Sequence, residues 1–110
     1  MSFLNKIIEI NELYALREKF KDLKISLCHG VFDIVHIGHL LHFQNVIKGC
    51  DKLVVSITSD KFITKKRSFE FNERLRLIQL ASIEYIDYVV LVDDVSALKP
   101  ISMLKPDFYV

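Results

Sequence analysis

The chain has 110 residues, 51% of them hydrophobic and 26% charged, with a formal net charge of +1. That length allows one domain around a single modest core, and the near-neutral balance excludes a general nucleic-acid binder, which carries a basic excess. Two cysteines, Cys28 and Cys50, are too few for a disulfide framework; with no signal-peptide core and no apolar run near the ~20 residues that cross a bilayer, a cytoplasmic location is expected.

Residues 1–23 read as a helical lead-in, with Asn11 capping a helix to about Lys21 that carries Leu13, Leu16 and Phe20 on one face. Lys24 to His29 is a short apolar strand, and the turn Gly30 to His39 leads into a helix over residues 38–49. Lys52 to Thr58 is a second strand, residues 59–71 a polar, basic loop, and Asn72 to about Glu84 a helix bearing Leu75, Leu77, Ile78 and Leu80. Tyr88 to Val92 is a third strand. A short helix from about Ser96 is interrupted or restarted at Pro100, and Asp107 to Val110 begins a fourth strand. Alternating strands and helices predict a parallel sheet with right-handed crossovers, and strands this apolar suit burial on both faces. The expected fold is α/β: a Rossmann-like parallel sheet flanked by helices, in a single domain over 1–110 whose core begins at residue 24.

Ligands in such sheets bind beyond the carboxyl ends of the strands. Three features fall there: Gly30–His39 after the first strand, Ser59–Arg67 after the second, and Arg76 early in the next helix. A strand, a glycine turn and a helix start together build a phosphate site, because the turn and the helix N-terminus expose unpaired backbone N–H groups. His36 and His39 are placed to donate to phosphate oxygens, and protonated histidines stabilise developing negative charge. Gly38 lets the chain approach where a side chain would obstruct; Gly30 and the backbone of Val31 and Phe32 would cradle the nucleotide.

Competing readings bear on several of these residues. His36, His39 and His42 are spaced by three and could form part of a metal set, but His36 precedes the helix and no cysteine or carboxylate completes a zinc site nearby. Asp33 either contacts nucleotide or metal or bonds backbone N–H groups of the turn, the second being preferred. His29 and His42 carry no independent signal. Residues 61–76 hold six basic side chains against two acidic ones, and the remaining chain nine against twelve. A positive segment on a near-neutral domain suits a small polyanion such as a nucleoside triphosphate.

The run Gly30–His39 resembles the HxGH signature of the cytidylyltransferase-like nucleotidyltransferases, a superfamily that includes glycerol-3-phosphate and choline-phosphate cytidylyltransferases and the adenylyltransferase that activates heptose 1-phosphate. Val54–Asp60 is similar to the family's second strand and its Ser/Thr-Asp ending, Lys65–Arg67 to its basic loop, Phe71–Arg76 to the helix whose arginine faces the nucleotide, and Lys105–Val110 to its fourth strand. The resemblance covers roughly residues 24–110. It implies an HxGH nucleotidyltransferase fold in which His36, His39, Lys65, Lys66 and Arg76 act in catalysis, without choosing between the two lysines. Arg67 would grip the triphosphate, and Ser59 and Asp60 would meet the substrate. Arg76 is preferred to Arg74 because it lies eleven residues before Asp87, as the family's arginine does.

The implied reaction passes a nucleotidyl group to a phosphorylated sugar or polyol with release of pyrophosphate. CTP is the expected donor and ATP the alternative, with Mg²⁺ bridging triphosphate oxygens rather than sitting in a protein cage. A homodimer is expected, and a sugar kinase is a possible partner domain. Two departures stand out. Val31 replaces a hydroxyl residue common in cytidylyltransferases, and the family continues beyond the fourth strand, where this chain ends at Val110. The fold is therefore expected to be truncated at its C-terminus, and a non-catalytic nucleotide-binding module is the competing class.

Overall fold

Three apolar-rich segments lie side by side in the computed structural model, which describes residues 2–63 and 69–110. They form β2 (Ile25–Gly30), β3 (Lys52–Thr58) and β4 (Tyr88–Val92), with Leu27 beside Val54 and Val55 beside Val89. Two-residue strands flank them: β1 (Ile7–Ile8) outside β4 and β5 (Phe108–Tyr109) outside β2. The order is β1-β4-β3-β2-β5 and every pair is parallel. Chain direction across the sheet reverses at β2: β3 and β4 follow on one side, whereas β5 returns to the other. In open parallel sheets that switch opens a crevice at the carboxyl end of the strand concerned.

Helices cover both faces, which is why the strands show no polar alternation. On one face α1 (Glu12–Lys19) and α4 (Leu98–Leu104) bring Leu13, Leu16, Met103 and Leu104 onto Ile25, Leu27, Val54 and Val90. On the other, α2 (Ile37–Ile47) and α3 (Glu73–Ala81) press Phe43, Leu77, Leu80 and Ala81 onto Cys28, Leu53, Val55, Ile57 and Val89. Alternate residues along each strand serve opposite faces. Burying a side chain of this size stabilises the fold by about 1.5–3 kcal/mol. Among the described residues no helix is long and apolar enough to cross a membrane.

The N-terminal stretch departs from a helical lead-in. It forms a 3-10 turn (Phe3–Lys6) and then β1, whose Ile7 and Ile8 lie beside Val89 and Val90, so the sheet has five strands rather than four. Asn11 occupies the cap position of α1 with helical backbone and makes no capping bond. Glu12 there accepts from the Glu9 N–H at 2.6 Å. Asn72 does cap, its side chain accepting from Leu75 N–H at 3.0 Å, and α3 stops three residues earlier than expected, at Ala81. Pro100 does not interrupt α4. It is the helix's third residue, in the first turn, where a backbone N–H would have no intrahelical partner. Lys105, in the left-handed conformation (φ 51°), ends that helix.

Three aspartates tie the amino ends of neighbouring strands together. The N–H of Asp51 donates to Lys24 O and its carboxylate accepts from Lys24 N–H, both at 2.8 Å. Asp87 does the same with Leu53, at 2.9 and 2.8 Å, and Asp107 with Ile25, at 2.8 and 2.8 Å. Asp107 also receives Arg17 at 3.1 Å, which joins α1 to the start of β5.

Candidate active site

The carboxyl end of β2 runs through Gly30 into a turn that is fixed on several sides. Arg76 Nη1 donates to Val31 O at 2.9 Å. The Asp33 carboxylate accepts from the N–H groups of Glu70 and Phe71 at 2.7 and 2.9 Å. Asp33 thus bonds backbone amides of a distant segment, where its structural reading named those of the turn. Between the two anchors Phe32 adopts φ 52°, rare for a bulky residue. Its ring lies over Gly30, where a Cβ would sit 2.9 Å from Phe32 Cε2. Gly30 thus makes room for that ring.

The first turn of α2 is capped by its own two histidines. Gly38 N–H donates to His36 Nδ1 at 3.0 Å, and His36 N–H donates to His39 Nδ1 at 3.2 Å. The rings stack with centroids 4.1 Å apart. In both bonds Nδ1 is the acceptor, which leaves Nε2 as the donor nitrogen of each ring. His39 is held below the ordinary histidine pKa by burial first, then by His36 and His42. At Gly38 a Cβ would fall 2.8 Å from His36 Cε1, so what approaches this glycine is the His36 ring.

Arg76 does not face an open site. Its side chain is 0% exposed and donates to Phe71 O (3.2 Å), Val31 O and Thr58 O (2.9 Å each) and Asp60 Oδ1 (2.7 Å). It gathers the β2 turn, the end of β3 and the start of α3, and the expectation of direct nucleotide contact is corrected accordingly. Asp60 is committed inward as well. Its second oxygen accepts from Glu73 N–H at 3.1 Å, while its own N–H donates to Glu73 Oε1 at 3.0 Å. Ser59 is 1% exposed, its N–H donating to Val92 O at 3.0 Å and its hydroxyl without a hydrogen-bond partner among the described residues. Ser59 and Asp60, expected at the substrate, are here a buried serine and a carboxylate bonded to Arg76 and Glu73. Lys65, Lys66 and Arg67 lie outside the described residues.

His29, which gave no signal in the sequence, holds the ends of β2 and β3 together. Its Nδ1 is 2.7 Å from Ser56 Oγ and its Nε2 3.3 Å from Thr58 Oγ1. Burial lowers its pKa, against an opposing pull from Asp94. Only the pairing of His29 with Ser56 across the strands reveals this contact. His42 is exposed, and among the described residues no three His, Cys, Asp or Glu side chains converge to hold a metal ion.

The family model described as cytidylyltransferase-like matches residues 27–110. The bifunctional protein HldE of Campylobacter jejuni (strain RM1221) is 37% identical over 113 residues, covering 100% of this chain and 24% of that protein. HldE of Helicobacter pylori (strain 26695) is 33% identical over 105 residues, covering 93% and 23%. A solved structure of a lipopolysaccharide core biosynthesis protein from Thermoplasma volcanium GSS1 is 28% identical, with a TM-score of 0.71 over 79% of this chain and 72% of that one. The chain spans about a quarter of the length of the curated relatives it matches.

Proposed function

We propose that this chain, which belongs to the cytidylyltransferase-like family, carries out the nucleotidyl-transfer step of a larger sugar-activating enzyme, passing AMP from ATP to a phosphorylated sugar. An oxygen of the sugar phosphate attacks the α-phosphorus in line. The new P–O bond forms as the bond to the β-phosphate oxygen breaks, and pyrophosphate leaves with that electron pair. The attacking oxygen is already an anion, so the protein needs neither a strong base nor a covalent intermediate. Its work is to hold two anions together and to offset the charge gathering between them.

One observation carries the reading: two stacked imidazoles, each with Nδ1 accepting a backbone N–H, at the N-terminus of α2. On this reading each ring turns Nε2–H to the phosphoryl oxygens, and the helix end favours the same anion. Lys65, Lys66 and Arg67 are proposed to hold the triphosphate or the acceptor phosphate from the basic segment. Mg²⁺ is proposed to arrive with the nucleotide, bound chiefly by phosphate oxygens.

The sequence favoured CTP. ATP is preferred here because the relatives that match along the chain carry the name HldE and the solved neighbour belongs to lipopolysaccharide core biosynthesis. These names support the heptose-phosphate type of adenylyltransferase; the family model's description is what keeps CTP as the second reading. Calorimetry with the Mg²⁺ salts of ATP, CTP, GTP and UTP decides between them: ATP binds most tightly on this proposal, and tighter CTP binding reverses it. Pyrophosphate release with a panel of sugar phosphates tests transfer itself, and its absence throughout would favour a non-catalytic nucleotide-binding module.

The word bifunctional in the relatives' name, and their fourfold greater length, support a second domain, for which a sugar kinase is the proposed partner. Ile34, Ile37 and Leu41 stand exposed beside the histidines, an apolar surface that supports a homodimer. Light scattering at micromolar concentration tests it, and a strict monomer would remove it.

A further inference from the structure

We propose that Phe32 is the positioning residue of His39, its ring serving as the fixed plate against which the imidazole is held. This rests on the reading of His39 as a phosphate donor. The bond from His36 N–H to His39 Nδ1 is 3.2 Å long, at the far end of the ordinary range, and it grips the ring at one atom. A single weak bond leaves an imidazole free to swing about it. Two rings remove that freedom. His36 stacks on one side at 4.1 Å, and Phe32 meets His39 edge-on at 5.5 Å with the planes at 68°.

The plate is itself anchored. Phe32 packs at 5.7 Å on Phe43, which is 0% exposed in the core. Its left-handed backbone sits between a neighbour whose carbonyl is held by Arg76 and a neighbour whose carboxylate is held by Glu70 and Phe71. Such a conformation persists only where the surroundings over-determine it. Gly30 completes the arrangement, since any side chain there would push the Phe32 ring away. A path of contacts therefore runs from the core through Phe43 and Phe32 to His39.

The test compares Phe32→Tyr, Phe32→Leu and Phe32→Asn in the intact chain. Asn tolerates left-handed backbone and so removes the ring without the turn. Imidazole ¹⁵N spectra read the His39 tautomer directly and need no substrate. In the wild type and in Phe32→Tyr, His39 keeps its hydrogen on Nε2; in Phe32→Leu and Phe32→Asn the two tautomers mix. For adenylyl transfer, kcat falls at least tenfold in the two ringless variants, KM for ATP changes less than threefold, and Tyr restores the rate. An unchanged His39 spectrum and kcat in folded Phe32→Asn would overturn the proposal. Mixed tautomers confined to the two ringless variants, with no transfer activity in the wild type, would leave the positioning standing and defeat the proposed function. Should Phe32→Leu fail to fold, Phe32→Asn and Phe32→Tyr still decide.

Discussion

Arg76 and Asp60 meet at 2.7 Å with the guanidinium wholly out of solvent. A charge taken out of water is tolerable only when it is paired and hydrogen-bonded, and the carbonyls of Val31, Thr58 and Phe71 supply the remaining acceptors. The pair therefore acts on the shape of the site. Arg76→Ala should lower the unfolding free energy by about 1–3 kcal/mol or more, because it leaves the carbonyls of Val31, Thr58 and Phe71 without that donor and Asp60 without its counter-charge. Arg76→Lys should recover little, since an ammonium cannot reproduce the planar fork. Urea unfolding measures both. A variant of normal stability with a raised KM for nucleotide would instead return Arg76 to the substrate.

His39→Ala separates chemistry from folding. The lost capping interaction should cost about 1 kcal/mol of stability. The lost phosphate donor should slow transfer a hundred- to thousandfold, equivalent to about 2.7–4 kcal/mol of transition-state stabilisation. Near-normal turnover would remove His39 from the reaction.

Stability should fall as pH drops below about 6.5. In the unfolded chain His29 protonates near that value, whereas burial beside Ser56 and Thr58 lowers its pKa in the fold. Between the two values the unfolded chain binds the extra proton, so stability rises with pH across the window and is lost as pH falls through it. His39 is shifted in the same sense. Urea midpoints between about pH 7 and pH 5 should show a shallower slope in His29→Gln than in the wild type. Equal slopes would exclude His29 as a source.

Excess chelator should abolish transfer and leave the melting temperature unchanged. The cation is proposed to belong to the nucleotide, and among the described residues no ligand group ties a metal to the fold. A melting temperature that falls with chelator would reveal a protein-bound metal.

What the sequence made legible follows from the reach of each signal. Lys52–Thr58 and Tyr88–Val92 were placed to the residue, because long apolar runs bounded by polar ones define buried strands. Ile7–Ile8 is too short to show a period, and its partners Val89 and Val90 are about eighty residues away. The position of Arg76 on its helix was readable, but the direction of its long side chain depended on acceptors in three separate segments. The turn carrying His36 and His39 was placed correctly, yet their mutual capping was not, since histidine is outside the usual capping set.

The aspartates at the amino ends of β3, β4 and β5 answer a difficulty that the core itself creates. In a sheet buried on one side, a strand shifted by one residue turns its apolar side chains to water and is rejected. Here both faces are apolar, so a shifted β3 would still bury leucine, valine and isoleucine, and hydrophobicity alone discriminates poorly between alignments. Asp51, Asp87 and Asp107 each match one particular residue through a donor and an acceptor at once. A slip would break both bonds and strand a carboxylate and an amide together. Alignment of these strands is thus specified by polar groups at their tips, and the greasy segments between are left to supply only the drive to collapse.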